Sequence, residues 1–409
     1  GSPVYYQPDK HLNLRRKKLY RLICTGCGKE YPGDSLAFRC GCGEPLEVLF
    51  APESKSFSSE GQSILNRFSS FLPPLKDEAF LSMGEGWTPM SRSFAFASEC
   101  DFEFYLKNES INPTWSFKDR GTYLTLLDAV EKGYKGFGTV STGNMAASVA
   151  AYGARMGMNT TILVSKNIPA EKIRPIAIYG PRVIKVDGDY GELYLKSLET
   201  GPSKGIYFSN SDVPMRVEGS KTIAFEIYLQ LGEKVPDFVI VPTSSGGNIR
   251  GIEKGFREIA EAGLSERTPV MVVVQACGCA PIHNAFDSGR EKIERVPNPS
   301  TIAHAIENPF PPSGNAVLRM LKKNGGLTLC LKEEEILEAQ TRLAGEGLFA
   351  QPAGVTSVAA IKKLKELIPL KKARIVSIIT GSGLKYPSIL ERHCLSAESI
   401  SIGDLEAAL

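Results

Sequence analysis

The sequence predicts an α/β fold with two doubly wound lobes, preceded by a small cysteine-rich module. Short β-branched runs alternate with long helical patterns, first from GFGTVST at 136–142 to PRVIKVDG at 181–188. The alternation resumes after about residue 215 with FVIVPTSS, PVMVVVQA and RIVSIITGSG. Strands that each lead into a helix of roughly 10–15 residues are typical of βαβ units and of parallel sheets buried on both faces. Two groups of such strands therefore indicate two lobes.

The composition excludes several classes of protein. The chain has 409 residues, 42% of them hydrophobic, which is enough for two or three domains with sizeable cores. Its 48 Lys and Arg against 45 Asp and Glu give a net charge of only +3, so neither nucleic acid nor an anionic membrane is expected as a partner. No apolar run is long enough to span a bilayer, and the polar N-terminus is unlike a secretory signal. We expect a cytoplasmic enzyme.

The cysteine-rich module carries two pairs of cysteines. Cys24 and Cys27 are separated by two residues, and Cys40 and Cys42 follow after twelve intervening residues. Glycines flank both pairs, as in the tight knuckles of a zinc ribbon, and four thiolates suit a tetrahedral zinc ion. Such an ion would be structural, because four protein ligands leave no coordination position for a substrate. The alternatives are free surface thiols or a ribbon that has lost its metal.

Changes in composition along the chain predict its division into parts. Polar, Ser- and Pro-containing residues follow the module, and the strand–helix alternation begins near residue 100. The predicted parts are a tag scar and tail at 1–19, a zinc-ribbon-like module at 20–50, a connector and the first part of the large lobe at 51–115, a small α/β lobe at 116–212, and the remainder of the large lobe at 213–409.

Three Gly-rich turns each follow an apolar strand directly. They are STGN at 141–144, SSGGN at 244–248 and TGSG at 380–383. Small residues at such a turn let backbone N–H groups approach an anion at the start of the next helix. Ligands of parallel α/β sheets bind at these strand ends. Any one of the turns could be an ordinary βα connection, but three together indicate a ligand site.

One lysine lies at the start of a predicted helix, in the stretch KNESINPTWSFKDRG at 107–121. The helix N-terminus and the nearby Arg120 would both favour the neutral, nucleophilic amine of Lys118. From the residues alone, a solvated lysine is the other interpretation.

This stretch closely resembles the NPTGSFKDRG motif of threonine synthases, which are fold-type II (tryptophan synthase β-like) pyridoxal-phosphate enzymes. Further segments are similar to those of the same family, in the same order: STGNMAASVAAYGARMG to its STGNTAAS loop and helix, NSDVPMRVEGSKTIAFEI to its NS-x-x-P-x-R-x-EGQKT-x-AFE segment, VPTSSGGNI to PVGNAGNI, QPAGVTS to EPASAA, and ITGSGLKYP to LTGHGLKDP. The cysteine-rich module also resembles the ribbon found on many archaeal and bacterial threonine synthases. The resemblance implies the fold-type II fold, a pyridoxal 5′-phosphate cofactor and a homodimer.

The resemblance also implies roles for individual residues. Lys118 would hold the cofactor covalently and move the substrate Cα proton. Asn144 would contact the 3′-oxygen of the pyridine ring, and Thr380 would face the ring nitrogen. The cofactor phosphate would be bound by the second Gly-rich turn, which comprises Ser244, Ser245, Gly246, Gly247 and Asn248. The substrate α-carboxylate would be bound by the first, which comprises Ser141, Thr142, Gly143 and Asn144.

A second anion site is implied by Asn210, Ser211 and Arg216, with Lys221 nearby. Their counterparts in threonine synthases hold the phosphate of O-phosphohomoserine, and an arginine with polar partners suits a bidentate contact with an oxyanion. The alternative is that Arg216 forms a buried ion pair with Glu218 or Glu226.

Several residues depart from the family pattern in the expected site. Trp115 replaces a glycine and Met145 replaces a threonine, while Gln351, Ser382 and Tyr386 replace Glu, His and Asp. Trp115 and Met145 add bulk where the amino acid should lie. The leading hypothesis is conversion of O-phosphohomoserine and water to threonine and phosphate. The alternatives are a cysteine- or cysteate-synthase-like β-replacement on O-phosphoserine, and a cofactor- and zinc-binding protein without catalysis.

The other cysteines and the histidines show no ligand spacing. We expect Cys277 and Cys279 to be packing residues near the cofactor cleft, and Cys100, Cys330 and Cys394 to be isolated structural residues. The odd number of nine cysteines favours a reducing compartment over a disulfide framework. His304 lies in a segment that resembles one close to the cleft of threonine synthases, but a catalytic role for it is not the expected outcome.

Overall fold

The computed structural model describes residues 20–51, 56–58, 63–76, 81–96, 101–166, 170–395, 397 and 399–409. The predicted N-terminal tail, together with His11 and Cys100, lies outside these ranges. Within them the chain forms three sheets, and no described helix combines the length and apolarity needed to cross a bilayer.

The secondary structure follows the predicted alternation. In chain order, the strands are β1 (Tyr20–Cys24), β2 (Glu30–Pro32), β3 (Leu46–Phe50), β4 (Met90–Arg92), β5 (Glu103–Asn108), β6 (Gly136–Val140), β7 (Asn159–Ser165), β8 (Arg182–Val186), β9 (Ile206–Phe208), β10 (Phe238–Pro242), β11 (Val270–Ala276), β12 (Leu327–Leu331) and β13 (Arg374–Ile379). The helices are α1 (Ile64–Arg67), α2 (Lys118–Glu131), α3 (Asn144–Met156), α4 (Ala170–Ala177), α5 (Tyr190–Thr200), α6 (Pro214–Gln230), α7 (Gly247–Glu261), α8 (Pro281–Asp287), α9 (Gly314–Asn324), α10 (Glu333–Ala344), α11 (Pro352–Leu367) and α12 (Leu405–Ala408).

The two large sheets confirm the predicted pair of lobes. The six-stranded sheet has the order β12-β11-β10-β13-β5-β4 and is parallel except for β4. The four-stranded sheet has the order β8-β7-β6-β9 and is entirely parallel. All four of its strands fall within the predicted small lobe at 116–212.

The large sheet is buried on both faces, as its continuous apolar strands predict. In β10, Val239 and Val241 belong to the core cluster that contains Ile252 of α7, whereas Ile240 belongs to the cluster that contains Val358 of α11. Successive strand residues point to opposite faces, so helices are required on both sides. This packing makes the lobe doubly wound.

The cysteine-rich module is a three-stranded antiparallel sheet with the order β2-β1-β3. Its apolar residues Leu22, Phe38 and Val48 belong to the same buried cluster as the core of the lobes. The module is therefore packed onto the rest of the protein and shares its core.

Candidate active site

A cavity of about 780 Å³ is lined by residues of both lobes. This volume lies within the range typical of small-molecule sites. The structure brings together at this cavity nearly all of the predicted site residues, namely Trp115, Lys118, Ser141, Thr142, Gly143, Asn144, Met145, Ser211, Arg216, Ser244, Ser245, Gly246, Gly247, Asn248 and Thr380. Each of the three Gly-rich turns follows the carboxyl end of a parallel strand, and the packing of the two lobes brings the first turn, from the four-stranded sheet, to the other two.

Lys118 is the first residue of α2, and its side chain lines the cavity. Its Nζ lies 4.2 Å from the centre of the Phe117 ring. Burial, and then the positive charges of Arg216 and Lys385, lower the pKa of Lys118 to about 7. The sequence predicted a neutral amine but named the wrong neighbouring charge, since Arg120 does not contribute to this shift.

Arg120 is instead neutralised within a buried network on the far side of α2. Its guanidinium donates to Glu109 at 2.7 Å and to Glu226 at 2.5 Å, and Lys107 Nζ lies 2.6 Å from Glu226. These two cations hold the pKa of Glu226 at about 2, although its burial opposes the shift. The network joins β5, α2 and α6, and so fixes the helix that carries Lys118.

Asp119, the residue after Lys118, holds the preceding loop in place. Its fully buried carboxylate accepts hydrogen bonds from Thr114 N, Thr114 Oγ1 and Ser148 Oγ, each at 2.6 Å. Burial raises the pKa of Asp119, and the hydrogen bonds from Ser148 and Thr114 oppose that rise. This side chain links the loop at 112–115, the start of α2 and helix α3.

Arg216 lies on the cavity with no acidic partner among the described residues. Its guanidinium donates to Lys118 O at 3.1 Å, Thr122 Oγ1 at 3.0 Å and Ser209 Oγ at 2.6 Å, whereas Nε has no hydrogen-bond partner in the part of the chain that the structure describes. The residue is only 3% exposed, and this burial lowers the pKa of Arg216 to about 9. A buried cation without a counter-charge is costly, so this position favours an anionic ligand.

The alternative of an ion pair from Arg216 to Glu218 or Glu226 is wrong. Glu218 pairs with Lys221 at 2.5 Å and also with Lys254, and Glu226 pairs with Arg120 and Lys107. The same contacts correct the placement of Lys221, which is buried against Glu218 and Phe71 O and does not line the cavity.

The two polar residues predicted beside Arg216 differ in their surroundings. Ser211 lines the cavity, and its buried Oγ has no hydrogen-bond partner among the residues that the structure describes. Asn210 does not line the cavity, because its Oδ1 accepts from Val140 N at 3.0 Å and its Nδ2 donates to Ser197 Oγ at 2.9 Å. Asn210 therefore fixes the segment that carries Ser211.

The second Gly-rich turn forms a cradle at the start of α7. Gly246 has a φ of +93°, which favours glycine, and a Cβ on Gly247 would lie 2.3 Å from Ser211 O. Both side-chain polar atoms of Asn248 are buried and have no hydrogen-bond partner within the described ranges. Free N–H groups at a helix N-terminus and unsatisfied polar atoms together fit the phosphate of a bound cofactor.

The first and third turns supply further parts of the lining. Gly143 directly precedes α3, and a Cβ on it would meet no atom of the described residues within 4 Å. Asn144 Nδ2 donates to Gln351 Oε1 at 3.0 Å. Thr380, at the end of β13, is buried and lines the cavity.

The departures from the family pattern differ in their placement. Trp115 has a φ of +62°, in the region that favours glycine, and is 52% exposed at the rim of the cavity. Met145 is 5% exposed and forms part of the wall. Tyr386 packs edge-on against His304, with 5.4 Å between the ring centres, and both line the cavity. Ser382 lies outside the lining and accepts a hydrogen bond from Leu384 N.

Lys385 is a site residue that the sequence reasoning missed. It lines the cavity, donates to Thr114 O at 2.6 Å, and has its pKa lowered to about 8 by burial, with Asp119 opposing the shift. Its position in the segment ITGSGLKYP, five residues after Thr380, was the available signal.

The cysteines of the N-terminal module converge. The four Sγ atoms of Cys24, Cys27, Cys40 and Cys42 all lie within 4.8 Å of one another. Four thiols at this separation fit a tetrahedral zinc site in both ligand type and number.

The expectation for Cys277 and Cys330 is wrong, because the structure joins them in a disulfide. They lie at the ends of the neighbouring strands β11 and β12, where Ala276 is paired with Leu331 and Cys277 N donates to Leu331 O at 2.8 Å. Strand pairing over a separation of 53 residues brings them together, which spacing in the sequence does not reveal. Cys279 is buried and Cys394 is exposed, both as free thiols.

Comparison with known proteins identifies the class of enzyme to which this chain belongs. The sequence model of the family described as "Pyridoxal-phosphate dependent enzyme" matches residues 81–381, and the chain belongs to this family. Two solved structures share its fold. An O-ureido-L-serine synthase aligns with a TM-score of 0.64 at 21% identity, over 82% of this chain and 98% of that one. Maize serine racemase aligns with a TM-score of 0.62 at 21% identity, over 75% and 92%.

Within this family the chain groups with the threonine synthases. It is 39% identical over 389 residues to the threonine synthase of Methanocaldococcus jannaschii. The aligned residues cover 93% of this chain and 96% of that protein. It is 33% identical over 386 residues to the threonine synthase of Methanosarcina acetivorans, which covers 92% and 95%.

Proposed function

We propose that this protein is a threonine synthase, which converts O-phosphohomoserine and water to threonine and phosphate. The observation that carries the proposal is the buried, uncompensated charge of Arg216 on the same cavity as Lys118. Ser211 lines the same cavity, and its buried hydroxyl has no hydrogen-bond partner within the described structure. A substrate phosphate there would supply both the missing negative charge and the missing hydrogen-bond acceptor.

We assign the cofactor to the remaining lining of the same cavity. Lys118 would hold pyridoxal phosphate covalently, the turn at 244–248 would bind its phosphate, and Asn144 and Thr380 would contact its ring. When bound, this cofactor stabilises negative charge that develops on the substrate Cα. Thr380 offers the ring a neutral hydroxyl, which suits elimination and replacement chemistry better than transamination.

Lys118 also has the right acidity to move protons. A group whose pKa is near the working pH can both accept and return a proton efficiently, and the pKa of Lys118 is lowered to about 7. The backbone N–H groups of 141–144 at the start of α3 would hold the substrate carboxylate and so direct the Cα proton towards this amine.

The alternative substrate is O-phosphoserine, with β-replacement in place of γ-elimination and hydration. The observation that favours it is the bulk of Met145 in the wall and of Trp115 at the rim. A shorter substrate retains the phosphate contact with Arg216 and needs less room for its carbon chain.

Phosphate release from each substrate separately, with products identified by mass, distinguishes the two. We expect release from O-phosphohomoserine with threonine formed. Release from O-phosphoserine alone would establish the alternative, and release from neither would refute the phosphorylated-substrate assignment.

Lys118→Ala should abolish the visible absorbance of lysine-bound pyridoxal phosphate, and survival of that band would contradict the assignment of Lys118.

We further propose that the module at 20–50 holds a structural zinc ion, supported by the four converging thiols. Metal analysis of the purified protein should give one zinc per chain, and substitution of Cys27 by Ser should lower that content. A homodimer in the cytoplasm is proposed on family likeness alone, and analytical ultracentrifugation tests the dimer.

A further inference from the structure

The N-terminal module reaches the wall of the cavity through two consecutive residues. The Phe38 ring packs edge-on against Tyr207 of β9, with 4.8 Å between the ring centres. The next residue, Arg39, donates from Nη1 to Asp212 Oδ2 at 2.6 Å. Tyr207 and Asp212 lie on either side of the segment 209–211, which carries Ser211. The module therefore contacts residues on both sides of this segment.

Asp212 is a buried junction between the module and both anion-binding walls. Its carboxylate is 1% exposed and accepts from Arg39, from the Tyr194 hydroxyl, and from Ser313 Oγ at 3.0 Å. Ser313 N in turn donates to Ser245 O, in the second Gly-rich turn, at 3.1 Å. Asp212 is thus directly adjacent to Ser211 in the chain, whereas it reaches the cradle at the start of α7 only through Ser313.

The guanidinium of Arg39 is held in place by its own module. Its Nε and Nη2 donate to Gly43 O at 3.0 and 2.6 Å, inside the second cysteine knuckle, and Nη2 also donates to Pro312 O at 2.9 Å. With its side chain 15% exposed, Arg39 is largely shielded from water. A guanidinium fixed in this way can set the position of Asp212, because its planar fork is preorganised for several hydrogen bonds at once.

We propose that Arg39 is a positioning residue for the substrate-phosphate subsite formed by Ser211 and Arg216. This inference deepens the proposed function and rests on it. Other contacts of the module, such as Glu47 with Arg257 and Glu44 with Arg319, attach it to α7 and α9. Arg39 differs from them because its carboxylate partner is the residue next to Ser211. Through Asp212, Arg39 holds the unpartnered Ser211 hydroxyl towards the anion.

The test is Arg39→Gln in the holoenzyme, with inorganic phosphate and O-phosphohomoserine as probes. We expect the Kd of inorganic phosphate, measured by calorimetry, and the KM of O-phosphohomoserine to rise about tenfold. The kcat and the visible absorbance of the bound cofactor should change less than about twofold, since Arg39 touches neither the reacting atoms nor the cofactor. Arg39→Lys keeps the positive charge opposite Asp212 but loses the planar guanidinium. Its phosphate Kd and its KM for O-phosphohomoserine should therefore fall between those of Arg39→Gln and of the unchanged protein.

The matched control is Arg21→Gln in the same module. Arg21 pairs with Glu30, both are largely exposed, and neither touches the cavity.

Unchanged phosphate affinity in Arg39→Gln would overturn the proposal, as would a loss of kcat and cofactor absorbance in proportion to the loss of phosphate affinity. Should Arg39→Gln not fold, Arg39→Lys decides, and phosphate affinity equal to that of the unchanged protein overturns the proposal. If the unchanged protein itself neither binds phosphate nor uses O-phosphohomoserine, the proposed function fails together with this inference.

Discussion

Two arginines, Arg120 and Arg216, are buried at the contact between α2 and α6, and their charges are compensated in opposite ways. Arg120 faces two carboxylates and a lysine in a network of ion pairs. Within the described structure, Arg216 donates only to neutral oxygens and its Nε has no partner. Burial dominates the pKa of Arg216 and lowers it, whereas the two glutamates raise the pKa of Arg120 above its usual value. The difference separates a charge that supports the fold from one available to a ligand.

The largest effect on stability is expected for Arg120→Met. Removal of this cation leaves Glu109 and Glu226 with fewer buried partners, which costs about 3–5 kcal/mol of unfolding free energy. Denaturant unfolding of the purified protein measures the loss. A variant as stable as the unchanged protein would show that the network does not secure α2.

Arg216→Met is the matched substitution on α6, the other helix of the contact. Since Arg216 has no acidic partner in the described structure, the unfolding free energy should stay the same or rise. The KM for O-phosphohomoserine should increase about 100-fold, whereas cofactor absorbance should persist. Equal loss of cofactor and substrate affinity would instead show that Arg216 is structural.

The lowered pKa of Lys118 predicts how stability depends on pH. Between the folded pKa of about 7 and the ordinary lysine value of 10.5, the unfolded chain binds more protons than the folded one. The stability of the cofactor-free protein should therefore rise with pH across this window because of Lys118. Subtracting the pH profile of Lys118→Met from that of the unchanged protein isolates this contribution. A difference that is flat from pH 7 to pH 10.5 would contradict the shift.

The smallest effect on stability is expected for a substitution of Trp115, which lines the cavity beside Lys118 and Arg216. Its φ of +62° is costly for any residue with a Cβ. Trp115→Gly should therefore raise the unfolding free energy by about 1 kcal/mol, as measured by thermal unfolding. The ratio of kcat/KM for O-phosphohomoserine to that for O-phosphoserine should be measured in the same variant. A change in this ratio would show that the indole contributes to substrate selection.

Much of the site could be predicted because the parallel strands of one sheet end at a common edge. The turns at 244–248 and 380–383 follow apolar strands of the six-stranded sheet, so their convergence follows from the fold class. The turn at 141–144 belongs to the four-stranded sheet, and the packing of the two lobes brings it to the other two. Helical spacing alone also excludes Glu218 and Glu226 as ion-pair partners of Arg216. Glu218 is two positions away and does not face it, and Glu226 is ten positions away, about 15 Å along the helix. Neither was a suitable ion-pair partner.

Other features depend on contacts between distant segments. The partners of Arg120, the disulfide between Cys277 and Cys330, and the reach of Arg39 to Asp212 all join residues that no local pattern relates. Lys385 also lacked a signal apart from its motif, because its lowered pKa arises from burial in the assembled cavity.

The sequence alone determined the two parallel α/β lobes, the lysine at the start of α2, the Gly-rich turns and the cysteine pairs, because hydrophobic periodicity and residue spacing are local properties. The tertiary structure decided which charges are neutralised and which remain available. Glu226 compensates Arg120 and leaves Arg216 without an acidic partner in the described structure. The physical reason is that the energy of a buried charge depends on the distance to its neighbours in space, and the packing of α2 on α6 sets those distances.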